Sequence, residues 1–498
     1  VAEPAQAAAL LERGRAGKPL RHALARSYLH AGFRYSGERG ALRGLEGSLA
    51  GIHLRGNLKG RGLAGDRPVL EGDLRVRVDR GREVAGLLPA GLADRIRVPG
   101  LEGGRLSAHV AYRAGRDSLD VTGLKGNLGR LAFGGQGEMR GFSGGEYRYS
   151  GRFATERFPP RALAARLGMR IPAAADPGVL QQATLSFAFA GGPERLEVSR
   201  LRGTLDDSRL TGGLTVAASP RARLQWHLHL NGIDMDRYLG RRGTVKPWPG
   251  AAVVAGLPRL PPRVLRNWGL QGRLRVDELR SGGMRLSRLQ ASLAGDRGHL
   301  RIHPLRARLY DGTYRGDLRL DASGKTPRFS AREAVRGLHL APLARDLTGR
   351  VGLTGTARLD LTYRGAGHSP RGILASLEGS GRYRLRDGEI LGWNPATWIP
   401  GVPSTGGRKG RTPLHSVRGS LKIHQGRARS DDLEARSDLF RAKGRGFVDL
   451  VGERMDYRLR LALRKDAEGV PGFLKGVALP IRVHGPLDNP DVNIRLGP

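Results

Sequence analysis

Leu353–Trp393 reads LTGTARLDLTYRGAGHSPRGILASLEGSGRYRLRDGEILGW. Leu359, Leu361 and Tyr363 fall on one side of an alternating run, with Arg358, Asp360 and Thr362 on the other. That is the period-2 pattern of a strand with one solvated face. A glycine-rich turn from Gly365 to Gly367 leads into Ser369-Pro370 and a short helical turn through Ile373, Leu374 and Leu377. Alternation returns at Tyr383 and Leu385, and Asp387-Gly388 is expected to turn the chain before Ile390. The result is a structural module of strand, brief helix, strand and turn, without a catalytic arrangement of side chains.

The same alternation recurs along the chain. Leu74, Val76 and Val78 alternate with Asp73, Arg75, Arg77 and Asp79. Leu224, Trp226, Leu228 and Leu230 alternate with Arg223, Gln225, His227 and His229. Tyr457, Leu459, Leu461 and Leu463 alternate with Arg458, Arg460, Ala462 and Arg464. One polar face per strand implies a half-solvated, antiparallel-type sheet. A short pattern also repeats, at Leu45-Glu46-Gly47-Ser48-Leu49, Leu124-Lys125-Gly126-Asn127-Leu128 and Leu201-Arg202-Gly203-Thr204-Leu205, with a looser copy beginning at Leu305. Between the copies lie short leucine-bearing helical turns at Val84–Leu88, Pro160–Leu167, Met235–Leu239 and Pro342–Leu347. Repetition of this kind points to an array in which neighbouring units cover one another. The expected class is therefore mainly β: an elongated, curled, antiparallel-type sheet, a repeating β-groove, with short interspersed helices. The last interval is lengthened by a Pro/Gly-rich stretch containing Lys246-Pro247-Trp248-Pro249-Gly250 and Leu260-Pro261-Pro262. Residues 1–36 differ from the rest, and read as weak amphipathic helix at Ala7–Leu11 and Leu20–Leu29.

The chain has 498 residues, with 85 Lys and Arg against 46 Asp and Glu, a net charge of +39. Nucleic acid is the first partner such a charge suggests. The arginines, however, are spread along the alternating strands, and aromatics, which would stack on single-stranded bases, make up only 5%. A solvated basic sheet face is the simpler reading, with attraction to an anionic bilayer as a second role for the same charge. Mean hydropathy is −0.38, and no apolar run approaches the ~20 residues of a spanning helix. The 76 glycines imply frequent turns and little helix. The absence of cysteine removes any disulfide framework.

Catalytic patterns fail on inspection. Gly367-His368-Ser369-Pro370-Arg371 lacks the final glycine of a nucleophile elbow. Gly406-Gly407-Arg408-Lys409-Gly410 lacks phosphate-loop spacing, and Arg140 stands where a dinucleotide fingerprint opened by Gly135 and Gly137 needs glycine. His227/His229 and His299/His303 read as surface histidines, and Asp206-Asp207-Ser208 as a turn. No enzyme activity, metal or cofactor is expected.

LTGTARLDLTYRGAG (353–367), ILASLEGSGRYRLRDGEILGW (373–393), GFVDL (446–450) and LPIRVHGPLDNP (479–490) together resemble the C-terminal region of the AsmA family of Gram-negative envelope proteins. Leu205–Ser208 with Leu210-Thr211-Gly212, and Gly232–Leu239, are similar to family patterns upstream. The resemblance extends over roughly residues 40–498 through the order and spacing of these segments. It implies the plan of bridge-like lipid-transfer proteins, an anchored curled sheet with an apolar interior. On that plan 1–36 is a helical, weakly patterned segment, 37–239 repeating β-groove units, 240–263 a Pro/Gly-rich insertion or hinge, and 264–498 an AsmA-like C-terminal β region. The groove candidates are Leu74, Val76, Val78, Leu224, Trp226, Leu228, Leu230, Leu359, Leu361, Leu459, Leu461 and Leu463. In an open groove Leu461→Arg should leave the fold largely intact and block lipid occupancy, which is the outcome expected; a closed sandwich would unfold. The resemblance implies a periplasmic protein held at the inner membrane by an N-terminal anchor upstream of Val1. Its expected role is in outer-membrane homeostasis and assembly, through phospholipid binding or conduction. The alternative is a scaffold that regulates protein targeting to the membrane, with envelope proteins as partners. No nucleic-acid partner is expected.

Overall fold

Alternation of apolar and charged residues sets the architecture. The computed structural model describes residues 28–49, 52–79, 102–141, 144–167, 174–218, 222–238, 268–392, 410–464, 478–487 and 490–494. Among these the protein is mostly β, 71% strand, with curled, unclosed sheet and only four short helices, as the alternation implies. The chain divides into two compact units, Val1–Ser219 and Pro220–Pro498.

Unit 1 contains β1 (Tyr28–Ser36), β2 (Arg39–Leu49), β3 (Ile52–Arg61), β4 (Val69–Val78), β5 (Arg105–Arg113) and β6 (Ser118–Leu128). It continues with β7 (Leu131–Arg140), β8 (Arg148–Thr155), helix α1 (Pro160–Arg166), β9 (Ala183–Gly191), β10 (Arg195–Leu205) and β11 (Ser208–Ala217). Each strand pairs antiparallel with the next in sequence. Pro160 opens α1, where its missing N–H is no loss. The helices expected within residues 1–29 fall outside the described residues, except that Tyr28 and Leu29 open β1. The turn expected at Val84–Leu88 falls outside them entirely.

The repeated leucines have a structural cause. Gly44, Gly123 and Arg200 each take a left-handed φ, of 58°, 57° and 51°. Each sits at a register shift immediately ahead of Leu45, Leu124 and Leu201. The looser copy at Leu305 also follows a shift, between Ile302 and Leu305. The repeat is thus the segment that resumes pairing after a bulge, and bulges bend a strand and raise its twist.

Unit 2 begins with β12 (Arg223–Asp234), helix α2 (Met235–Tyr238), β13 (Gly269–Ser281), β14 (Met284–Asp296), β15 (His299–Leu309), β16 (Gly312–Asp321) and β17 (Arg328–His339). Helix α3 (Leu340–Thr348), β18 (Thr356–Ala366), helix α4 (Pro370–Ala375), β19 (Glu378–Leu391) and β20 (Arg411–His424) come next. The last strands are β21 (Arg427–Arg436), β22 (Phe440–Asp449), β23 (Arg454–Leu463), β24 (Ala478–Pro486) and β25 (Asp491–Ile494). From β13 onward the ladder is antiparallel in sequence order.

Two details depart from the sequence reading. β12 and β13 pair in parallel, Leu224 beside Leu270 and Leu230 beside Val276. A parallel pair cannot be joined by a two-residue hairpin; residues 240–263, read as a Pro/Gly-rich insertion or hinge, lie outside the described residues. Asp387-Gly388 does not turn the chain. Asp387 takes a φ of 50° inside β19, and the ladder to β20 continues on both sides of it, Arg386 opposite Ser416 and Gly388 opposite Leu414. One left-handed residue disturbs a strand without reversing it, because a reversal needs two central residues closing a hairpin.

Glycine has a second use besides turns. In unit 2, Trp226 lies over Gly272, Phe329 over Gly365, Tyr383 over Gly419 and Tyr457 over Gly446, each pair directly opposite across the ladder. A Cβ on any of these glycines would run into the side chain lying over it. These pairs let large side chains lie flat on the sheet.

The core of unit 2 is dry. Leu305 and Leu309 are 0% exposed, Tyr314 and Leu461 1%. One cluster draws on β13 to β18 with β20 and β21, and α3 adds Leu340, Leu343 and Leu347 to its edge. A second gathers Leu414, Phe440, Ala442, Leu461, Leu463, Leu479 and Ile481. Helix α3 is fastened by Asp346, whose carboxylate accepts from Arg285 Nε and Nη2 at 2.7 Å each and from the Tyr310 hydroxyl at 2.8 Å. The Arg285 hydrogen bonds hold the Asp346 carboxyl below its usual range, with Tyr310 helping, and burial pushes Tyr310 up to about 12.

This packing yields two tests. Leu461→Arg places an unpaired charge in the second cluster, at a cost of several kcal/mol against a total stability of about 5–15 kcal/mol. A thermal melt should show unfolded or severely destabilised protein; a melt within a few degrees of the parent would show that this face is wet. A depressed carboxyl contributes stability above the ordinary aspartate pKa of about 4, and that stability is lost as pH falls through its folded value. Denaturant unfolding between about pH 5 and 3 should therefore weaken the parent more steeply than Asp346→Asn.

Candidate apolar binding surfaces

Unit 1 repeats the unit 2 ladder, and among its described residues the apolar face is mostly half-buried. Among its described residues the buried apolar side chains are Leu45, Ala111, Ala164, Val179, Ala183 and Leu201, and the other thirty-one belong to unit 2. Across the sheet one row reads Leu54, Val76, Leu106, Gly126 and Phe133, carbon throughout. On β4, Leu74, Val76 and Val78 are half-buried between exposed Asp73, Arg75 and Arg77. At the first edge, Leu29, Phe33 and Tyr35 of β1 are 68%, 64% and 52% exposed.

The densest part of this face is aromatic. Phe133 lies 5.5 Å from Phe153, Phe153 5.2 Å from Phe187, Phe187 6.3 Å from Phe189, and Phe189 6.2 Å from Tyr149, by ring centroids. Tyr147 extends the strip 6.3 Å beyond Tyr149. All six rings are half-buried. The Phe133 ring lies over Gly126 and that of Phe189 over Gly151, which keeps the strip low and continuous on β7, β8 and β9. Sequence reasoning passed over this strip, although Tyr147-Arg148-Tyr149 and Phe187-Ala188-Phe189 show its period-2 signal.

The twelve leucine, valine and tryptophan candidates are spread over both units. Leu74, Val76 and Val78 lie on the open face of unit 1. Leu224, Trp226, Leu228 and Leu230 are half-buried on β12, and the first two pack against Leu270, Leu300 and Ala322. Leu361 is 8% exposed within the larger core, with Leu359 packed at its edge. Leu461 and Leu463 are closed into the second cluster at 1% and 4%, with Leu459 half-buried beside them. Curling of the unit 2 ladder brings apolar rows together that sequence alone cannot show as touching.

Inside the larger core one carboxylate is buried. Glu333, 5% exposed, accepts from the hydroxyls of Tyr314 at 3.1 Å and Tyr363 at 2.8 Å. The Tyr314 hydroxyl passes over Gly316, opposite Glu333 in the ladder, where a Cβ would meet it. Burial first, and then the Glu333 charge, raise both tyrosines far above their ordinary range, so they remain neutral donors.

A cavity of about 1090 Å³ opens at one end of the unit 2 ladder, where β13, β15, β17 and β19 begin and β14, β16 and β18 end. Leu270, Leu300, Leu320 and Phe329 supply its apolar wall, and Arg301, Arg319, Arg328 and Arg364 line it as well. The acids nearby are engaged. Asp317 takes Arg301 at 2.7 Å, Asp321 takes the Ser323 hydroxyl at 2.5 Å, and Glu378 meets His424 at 2.8 Å. Those hydrogen bonds hold all three carboxyls below their usual values.

The sequence comparisons fit this architecture. Residues 211–433 match the AsmA family. No curated protein matches the chain. The AsmA region runs from within β11 into β21, and so contains the end cavity, Glu333 and the candidates on β12 and β18. The aromatic strip precedes it, and the segments at 446–450 and 479–490 come after it. The AsmA family is envelope-associated. Among the described residues no helix is long and apolar enough to cross a membrane. Surface histidines meet acids singly, His229 with Asp277 at 3.0 Å and His303 with Asp317 at 3.5 Å. Asp206 closes the β10–β11 turn at a φ of 49° and accepts from the Leu180 and Gln181 amides at 2.7 and 3.0 Å.

The buried carboxylate carries its own test. Glu333→Leu leaves two buried tyrosine hydroxyls without their acceptor, at about 1–3 kcal/mol each, whereas Glu333→Gln keeps an acceptor oxygen. Urea unfolding should rank parent, Glu333→Gln and Glu333→Leu in falling stability; equal midpoints would mean the cluster contributes nothing.

Proposed function

We infer that the protein is a non-enzymatic envelope component that binds phospholipid acyl chains on the open apolar face of unit 1. The observation that carries this reading is the half-buried aromatic strip from Phe133 to Tyr147, reached from β4 through the row Val76, Leu106, Gly126 and Phe133. Apolar surface left in water costs about 25 cal/mol per Å², so an occupant that covers the strip is stabilising. The envelope association of the AsmA family supports a periplasmic place beside the inner membrane and a part in outer-membrane homeostasis and assembly. The dispersed arginines on the opposite faces suit an anionic bilayer surface better than a nucleic acid. A second reading, a scaffold that regulates protein targeting to the membrane, finds support in the core of unit 2, whose apolar residues bury one another.

Lipid extraction and mass spectrometry after purification in mild detergent test the first reading. Phospholipid should accompany the parent protein. Phe153→Asp, on a half-exposed ring, should melt close to the parent and carry far less lipid. A lipid-free parent, or a folded Phe153→Asp with undiminished lipid, would overturn the reading in favour of the scaffold.

A further inference from the structure

We propose that the polar face of unit 2 carries a membrane-docking patch, centred on Arg358, Arg384 and Arg386, that seats this face on an anionic bilayer surface. It rests on the envelope placement above for the kind of surface, but uses none of the residues that hold acyl chains. Arginines spread along the sequence converge in the ladder. Arg336, Arg358, Arg384 and Arg418 stand directly opposite one another on β17, β18, β19 and β20. Arg386, two residues along β19 on the same face, opens a second row that runs through Ser416 to Arg436 and Arg441. All seven arginines are exposed. The other face of β18 and β19 is held in the core, with Leu361 8% and Leu385 6% exposed, so the arginines project from a fixed support.

Like charges directly opposite in a ladder oppose pairing. Arg336 with Arg358, Arg358 with Arg384, Arg384 with Arg418 and Arg436 with Arg441 are such contacts. The acids nearby do not remove them. Asp360, two residues from Arg358, bonds Arg336, and Glu434 takes Arg418 at 2.6 Å while Lys443 and Arg436 pull on the same carboxylate. Among the described residues Arg358, Arg384 and Arg386 have neither an acid opposite them in the ladder nor a carboxylate within 4.0 Å. Neighbouring strands lie about 4.8 Å apart, inside the screening length of about 8 Å at physiological salt, so the potentials of these cations add. The polar face of unit 1 mixes signs instead, with Lys59, Glu71, Asp120 and Glu138 in one row through Ala111. The patch extends both across strands and along β19, and no aromatic ring stands in its two rows. A single-stranded polyanion tracks a groove and stacks on rings. A plane of headgroup phosphates meets the whole patch, and the guanidinium fork matches phosphate oxygens.

The test is flotation of the full chain with vesicles of phosphatidylcholine alone or mixed with phosphatidylglycerol. The parent should partition far more strongly to the mixed vesicles, and added salt should release it. The triple variant Arg358→Gln, Arg384→Gln, Arg386→Gln should partition about a hundredfold more weakly, since each cation near an anionic surface contributes severalfold. A charge-matched variant at exposed positions of unit 1, Arg34→Gln, Arg43→Gln, Arg75→Gln, should bind nearly as the parent does. Ser416→Glu sets a carboxylate between Arg386 and Arg436 and should also weaken partition, which keeps the test alive if the first triple variant melts early. Equal partition of the parent to both kinds of vesicle, or equal loss in the two triple variants, would overturn the patch. So would a single-stranded oligonucleotide held through the same three arginines more tightly than the mixed vesicles. None of these results touches the acyl-chain reading, which is judged by co-purified lipid and Phe153→Asp. A lipid-free parent that still floats with mixed vesicles would remove that reading and keep the patch.

Discussion

Much of this structure depends on a large apolar side chain lying flat over a glycine directly opposite it in the ladder. Phe189 over Gly151, Trp226 over Gly272, Tyr383 over Gly419 and Leu361 over Gly381 are the same device in both units. A ring seated this way fills the space of two residues with one, so the apolar face stays smooth and thin. Glycine in a strand normally weakens it, and the overlying ring restores the contact that the missing side chain would have made. The 76 glycines of the chain therefore shape its apolar surface as well as serving in turns.

The two units put this device to different ends. In unit 2 the rings and leucines meet others across the curled ladder, and Leu305, Leu309 and Leu461 reach essentially complete burial. Helices α3 and α4 close the edge, with Leu374 at 8% and the Asp346–Arg285 pair as fastener. In unit 1 the same kind of pair supports a face whose rings remain half-buried. Bulges at Gly44, Gly123 and Arg200 bend the strands of unit 1, as the shift ahead of Leu305 does in unit 2, so curvature alone does not separate a dry core from an open surface. The number of side chains brought to the far side of each apolar row does.

The sequence makes the class of fold legible because period-2 alternation survives any detail of packing. Leu359, Leu361 and Tyr363 sit on one face as their spacing requires. Leu45, Leu124 and Leu201 are visible as a repeat, yet the bulge residue ahead of each is not, because Gly44 and Arg200 share no letter. Asp387-Gly388 has turn composition, but the neighbouring ladder overrides it. Nothing local announces the parallel pairing of β12 and β13. Val76 and Leu461 occupy equivalent places in their alternating runs, and one ends half-buried and the other closed in. What lies across from each decides the difference, and that is a tertiary fact. The end cavity is illegible for a related reason: its wall and its arginines come from seven strand ends distant in sequence.

The central claim is that the aromatic face of unit 1 is occupied by acyl chains while the core of unit 2 stays dry. Photo-crosslinking with a phospholipid that carries a diazirine at the acyl terminus, followed by peptide mapping, addresses it directly. The account predicts label concentrated in the β7–β9 peptides that hold Phe133, Phe153, Phe187 and Phe189 and absent from the peptides of β15 and β23 that hold Leu305, Leu309 and Leu461. Label in those core peptides, or none above background on β7–β9, would contradict it.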